Sequence, residues 1–290
     1  MTLSILYRGP LSSCNYACGY CPFAKRRESA AELELDRVAL SRFVDWVEAR
    51  TAPTSIFFTP WGEALVRSAY RHAIARLSRM EHVRRVAIQT NLSIRSSWTE
   101  RCDREKLALW CTYHPGETTR AAFVGRCLEL VTRGVRFSVG VVGLRDHLDE
   151  LEALRAALPP EVYLWVNAHR AIEGGYRPEE IRRIVEIDPF FPSNLAPPPS
   201  LGAPCRAGET VMAVDGAGDV RRCHFVPETI GNIYAPDWER ALVARTCPNA
   251  TCRCHIGYVH RHDLALYDVY GAGVLERVPR RLPMAADPRS

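Results

Sequence analysis

With 290 residues, 47% of them apolar and 24% charged, the chain is long enough to bury a sizeable core in one large domain and one small one. Its net charge of +5 comes from dispersed arginines, which mildly favours anionic partners, and no dense Lys/Arg block interleaved with aromatics points to nucleic acid. The longest apolar stretch, Phe137 to Leu144, is too short for a membrane span, and the opening MTLSILYRGP lacks the apolar core of a secretory signal; a cytoplasmic protein with no nucleic-acid or membrane partner is expected.

In chain order, strand-like segments fall at Leu3–Tyr7, Ser55–Thr59, Val86–Thr90, Leu109–Tyr113, Phe137–Val142 and Val162–Asn167, all short and rich in β-branched, aromatic or Leu residues. Helical spacing lies between them. Leu40, Phe43, Val44 and Val47 share one face, as do Tyr70, Ile74 and Leu77, and then Leu144, Leu148, Leu151 and Leu158. Pro178 opens a last helix through Ile187. Six β–α units in series predict an α/β fold, a partial (β/α)6 TIM-like barrel spanning residues 1–195. The prolines of Phe190–Pro204 read as a linker to a small C-terminal α+β domain and tail, residues 196–290. Within it, Thr210–Val214 and Val220–Arg222 flank Asp215–Asp219 as a hairpin, and Leu266, Tyr267 and Tyr270 pack a tail back onto the fold.

Eleven cysteines need an explanation other than disulfides in a reducing compartment, and they are unevenly placed. Cys14, Cys18 and Cys21 follow the first strand with spacing C-x3-C-x2-C, whereas Cys205, Cys223, Cys247, Cys252 and Cys254 gather near the C-terminus. Three thiolates suit a [4Fe–4S] cluster with one iron left open, while a structural zinc normally takes four ligands. The plainer alternatives are a zinc site completed by a distant ligand, or three neighbouring core thiols.

The loop Cys14-Asn-Tyr-Ala-Cys18-Gly-Tyr20-Cys21 resembles the signature of the radical S-adenosylmethionine (AdoMet) superfamily. The resemblance implies a SAM-binding [4Fe–4S] cluster on those three cysteines, with S-adenosyl-L-methionine chelated at the open iron and Tyr20 near its adenine. It also implies reductive cleavage of AdoMet to a 5′-deoxyadenosyl radical. Thr59-Pro-Trp-Gly62-Glu63 is similar to the family's Gly-Gly-Glu element for the AdoMet ammonium, with Trp61 in place of the first glycine. The plainer alternative for Glu63 is a first-turn acid at a helix N-terminus, and the cofactor reading is favoured over it. By the same likeness Asn91, Thr112 and Val141 become cofactor-binding candidates. His114, Asn167 and His169, at strand ends, are candidates for contact with cofactor or substrate.

The C-terminal cysteines, with Asp215-Gly216 and Gly231-Asn232-Ile233 between them, resemble the SPASM/Twitch extension, which implies an auxiliary [4Fe–4S] cluster. Cys205 and Cys223 are implied as its first two ligands. The rest come from Cys252 with Cys247 or Cys254, with His255 as an outside candidate. A zinc knuckle is the alternative. The expected function is a radical SAM oxidoreductase that abstracts hydrogen from its substrate, most simply in oxidative modification of a peptide side chain. A small-molecule dehydrogenase acting on an amino sugar-like substrate competes with it, as does a non-catalytic zinc or Fe–S binding protein. An electron donor such as flavodoxin or ferredoxin is implied; with the first strand so near Met1, no leader-recognition domain is expected before the barrel, which weakens the peptide reading without removing it, since a separate protein could present the peptide.

Overall fold

The computed structural model describes residues 2–23 and 26–282. Six strands, β1 (Leu3–Arg8), β2 (Thr54–Phe58), β3 (Val83–Thr90), β4 (Leu107–Tyr113), β5 (Arg136–Gly143) and β6 (Leu164–Ala168), lie side by side in sequence order, all parallel. Their centres are buried on both faces, which is why they read as apolar runs instead of alternating ones. The crossovers are α1 (Ala30–Glu48), α2 (Ser68–Ser78), α3 (Arg120–Thr132), α4 (Leu148–Ala157) and α5 (Pro178–Ile187). α1 starts at Ser29, whose side chain caps Glu32 N while Glu32 caps back; Pro178 opens α5 with its fixed φ. The third crossover departs from the expected series: it holds only a 3₁₀ turn, Ser96–Arg101.

Past the linker the chain rejoins this sheet. After β7 (Pro204–Cys205), β8 (Val211–Asp215) pairs in parallel with the free edge of β1, placing Arg8 opposite Asp215. β9 (Asp219–Arg221) and β10 (Thr229–Asn232) then extend the edge antiparallel, giving nine strands in the order β10-β9-β8-β1-β2-β3-β4-β5-β6. A separate two-stranded ladder joins β7 to β11 (Arg245–Thr246). The proline-rich segment is more than a spacer. Its short helix Pro192–Leu195 buries Asn194, whose amide bonds Val166 O and Ala168 N on β6.

Two apolar layers follow from the two faces of the strands. Ile5, Ile56, Val86, Leu109, Val139 and Leu164 pack outward against the helices. Leu6, Phe57, Ala87, Ala108, Trp110, Trp165 and Ala213 point to the concave side. That side is filled by the C-terminal segment, through Ile256, Tyr258, Tyr270, Val274 and Leu275. Burial of this aromatic-rich interface contributes on the order of 1.5–3 kcal/mol per large side chain. At the N-terminal strand ends, fully buried Glu276 pairs with Arg136 at 2.7 Å and Arg85 at 3.7 Å. No described helix is long and apolar enough to cross a membrane.

Candidate active site at the C-terminal ends of the strands

The cysteine loop leaves β1 and is held by acids. Glu28 accepts from Ser12 Oγ at 2.7 Å and Ser13 N at 2.9 Å; buried Asp36, on α1, accepts from Leu11 N at 3.1 Å and Tyr70 Oη at 3.0 Å. Glu63 N donates to Ser13 O at 3.1 Å, so the loop after β2 lies directly against the cysteine loop. Only glycine permits that approach: a Cβ on Gly62 would stand 1.7 Å from Ser13 O. Glu28 and Asp36 carried no sequence signal for this role beyond being acids near the loop.

One cavity is walled by Cys14, Cys18 and Cys21 on one side and by Gly62, Glu63, Asn91, Thr112 and His114 on the other. The strand ends thus bring together most of the residues singled out from the sequence. Val141 lies elsewhere, buried in the outer layer against the helices. Asn167 and His169 end β6 outside this cavity, Asn167 exposed and His169 half-buried.

Glu63 is 2% exposed, and its carboxylate is already well supplied with donors: Leu65 N at 3.0 Å, Thr90 Oγ1 at 3.0 Å and Asn91 N at 2.5 Å. Burial nevertheless dominates and pushes the carboxyl up to about 7, against the pull of those bonds. The Asn91 amide reaches Asn15 Oδ1 at 3.0 Å and Cys14 Sγ at 3.8 Å. Tyr20 Oη lies 2.9 Å from His114 Nδ1, and Cys18 Sγ lies 3.4 Å from the same nitrogen. Burial pulls His114 down to about 4, so its ring is neutral near pH 7. From the sequence His114 was, with Thr112, a candidate for cofactor contact through the family resemblance at the end of the fourth strand; no spacing placed it beside the cysteine loop.

The donor set fits a [4Fe–4S] cluster. Three soft thiols share one cavity wall, and a cation bound there would reverse the burial that now raises Cys14 and Cys18. Among the described residues no three His, Cys, Asp or Glu side chains converge on a single-ion position. Thiolates on different corners of a cube stand farther apart than the ligands of one ion.

The second group of cysteines collects where the proline-rich segment meets the hairpin. Cys247 N donates to Ala203 O at 3.1 Å and Cys252 N to Pro198 O at 3.0 Å, while buried Arg222 binds Arg245 O at 3.0 Å. The Cys252 thiol is raised to about 12 by burial first, then by neighbouring Cys223, Cys247, Cys205 and, least, Cys254. Cys205 and Cys223 also feel Cys247. Burial raises Cys254, and the charges that oppose this are Arg8, Arg277 and Arg170. His255 is buried in a box of Trp110, Tyr258 and Tyr270, with centroid distances of 5.2–5.5 Å.

No family model and no curated protein matches the chain. Solved structures do. Native anSMEcpe with bound AdoMet and Kp18Cys peptide superposes with a TM-score of 0.56 at 14% identity, covering 83% of this chain and 80% of that one. The same protein with AdoMet and Cp18Cys peptide gives 0.52 at 14% identity, covering 84% and 82%. BtrN in complex with AdoMet and 2-DOIA covers 90% of this chain and 98% of its own at 17% identity, with a TM-score of 0.42, too loose a superposition to carry a conclusion. In fold, the chain is similar to anSMEcpe, the protein that holds AdoMet and a peptide in those two structures.

Proposed function

We propose that this chain is a radical AdoMet enzyme. One observation carries the reading: Cys14, Cys18 and Cys21 share a single cavity with Glu63, Asn91, Thr112 and His114 at the C-terminal ends of successive parallel strands, where this architecture places its chemistry. A [4Fe–4S] cluster on the three thiolates would supply the electron that cleaves AdoMet to methionine and a 5′-deoxyadenosyl radical. The chain's own residues supply binding and exclusion of water. Glu63, ionised, is the counter-charge for an ammonium, held in place by Thr90 and Asn91. Asn91 and Thr112 present amide and hydroxyl groups along the strand ends, and Tyr20 is positioned by His114.

Hydrogen abstraction leaves a substrate radical, whose further one-electron oxidation with loss of a proton requires an acceptor. Cys205, Cys223, Cys247 and Cys252 are the four thiols that would hold an auxiliary [4Fe–4S] cluster for that electron, in a Twitch-like unit over residues 196–290. Oxidative modification of a peptide side chain is the favoured reaction, in keeping with the peptides bound by the structural relative. Reduction would come from a donor such as flavodoxin or ferredoxin.

The test is anaerobic reconstitution with iron and sulfide, then reductant and AdoMet. The parent protein is expected to release 5′-deoxyadenosine and Cys18→Ala none. A colourless, zinc-loaded protein that leaves AdoMet intact would refute the reading.

A further inference from the structure

Beside the cysteine cavity lies a second cavity of about 850 Å³, between α1, the ends of β1 and β8, and the segment after β9. Trp61 lines both, so its ring is the partition between them. We propose that this second cavity is the substrate cavity, and that it takes a polypeptide segment bearing a carboxylate side chain flanked by apolar residues, anchored by Arg8. The proposal deepens the enzymatic reading above and rests on it for the reaction, though not for binding.

The charge comes first. Arg8 Nε donates to Thr59 O at 2.7 Å, and the guanidinium lies 3.9 Å over the Trp61 ring. Its register partner Asp215 is not available to neutralise it. That carboxylate accepts from Ala217 N at 3.0 Å and Asp219 N at 3.1 Å, and pairs with Arg221 at 2.9 Å. Among the described residues no carboxylate pairs with Arg8. Burial lowers it and the nearby Cys254 thiol opposes that, leaving it at about 10, so a half-buried cation faces the cavity at neutral pH. His224 bonds Thr59 Oγ1 at 2.8 Å on the same wall. Exposed Arg42, over the Tyr234 ring at 3.5 Å, is the other cavity guanidinium without a carboxylate partner among the described residues, so half-buried Arg8 is the inner anchor, and its planar fork suits a carboxylate.

The apolar wall decides the rest. α1 carries two stripes. Leu40, Phe43, Val44 and Val47 pack into the core, whereas Leu35, Val38 and Ala39, with Arg42 one turn on, line the cavity. Leu35 is 66% exposed and Val38 50%, and Trp61 at 39% continues the apolar surface across the cavity. From Leu35 to Arg42 the helix advances roughly 10 Å, the reach of about three extended residues. A stripe of that length beside the half-buried Arg8 matches a short peptide with apolar residues around an acidic one.

Binding is tested on the reconstituted protein with two pools of capped hexapeptides, randomised at the flanks and fixed centrally as Glu in one pool and Gln in the other. Affinity selection read by mass spectrometry is expected to retain the Glu pool about tenfold over the Gln pool, enriched in Leu, Val or Phe beside the Glu. Arg8→Gln is expected to erase the Glu preference and Arg8→Lys to keep part of it. Leu35→Asp, at a solvent-facing position where folding is not at risk, is expected to erase the apolar enrichment alone. Equal retention of the two pools by the parent, or a Glu preference that survives in Arg8→Gln, overturns the proposal. Release of 5′-deoxyadenosine is measured in parallel without peptide. Its failure with selective binding intact removes the reaction and leaves the binding assignment standing.

Discussion

Replacing Glu63 by glutamine separates the cost of burying a charge from everything else the side chain does. Glu63 is 2% exposed and its carboxyl is raised from the ordinary value of 4.5 to about 7, chiefly by burial. The folded state therefore binds the proton more tightly than the unfolded state does. Stability contributed by this group is fully present below pH 4.5, is lost as pH rises towards 7, and is constant beyond. Two and a half pH units at about 1.4 kcal/mol each amount to roughly 3.5 kcal/mol. An amide at this position cannot ionise, so that loss is absent in Glu63→Gln. The amide also turns a donor towards Leu65 N or Asn91 N, a penalty on the order of 1–3 kcal/mol, but one that does not vary with pH. Urea unfolding without AdoMet at pH 5 to 8 is thus expected to show the variant gaining about 2.5 kcal/mol on the parent, most of the full effect. AdoMet affinity of the parent should rise with pH through 7 as Glu63 ionises, and that of the variant should stay flat. Parallel stability curves for the two proteins would show that burial does not govern this carboxyl.

Other outcomes are equally open to measurement. Gly62→Ala places a Cβ against Ser13 O, so the cysteine loop must move; we expect a loss of about 1–3 kcal/mol in stability and reduced iron at the first site, measured by unfolding and iron content. Cys252→Ala is expected to remove about half the cluster iron, while Cys254→Ala, at the thiol influenced by Arg8, Arg277 and Arg170, retains it. Equal iron loss in the two variants would reverse that assignment.

The series of parallel strands, the cofactor loop after β1 and the clustering of cysteines were legible in the sequence, because each is local. Strand composition and the C-x3-C-x2-C spacing are set within a few residues. The missing helix of the third crossover was not legible, since a 3₁₀ turn and a short helix leave similar patterns. α3 was signalled by Phe123, Val124, Cys127 and Leu130 at helical spacing, though it was not singled out among the helical segments above. The proline-rich stretch read as a linker because composition reports backbone stiffness but not partners. In the fold its carbonyls and amides hold Cys247 and Cys252.

What the chain determined alone is the chemistry on offer: three thiols with room for one open iron, five more around a hairpin, and acids and amides at strand ends. Tertiary structure decided which of these meet. Parallel pairing carries the ends of β1 to β4 to one rim, so residues 96 positions apart, Cys18 and His114, come within 3.4 Å. The pairing of β8 with β1 then leaves Arg8 without its opposite Asp215, because that carboxylate is claimed by its own turn and Arg221. Such outcomes depend on long-range register and on competition among partners, which no spacing along a single chain encodes.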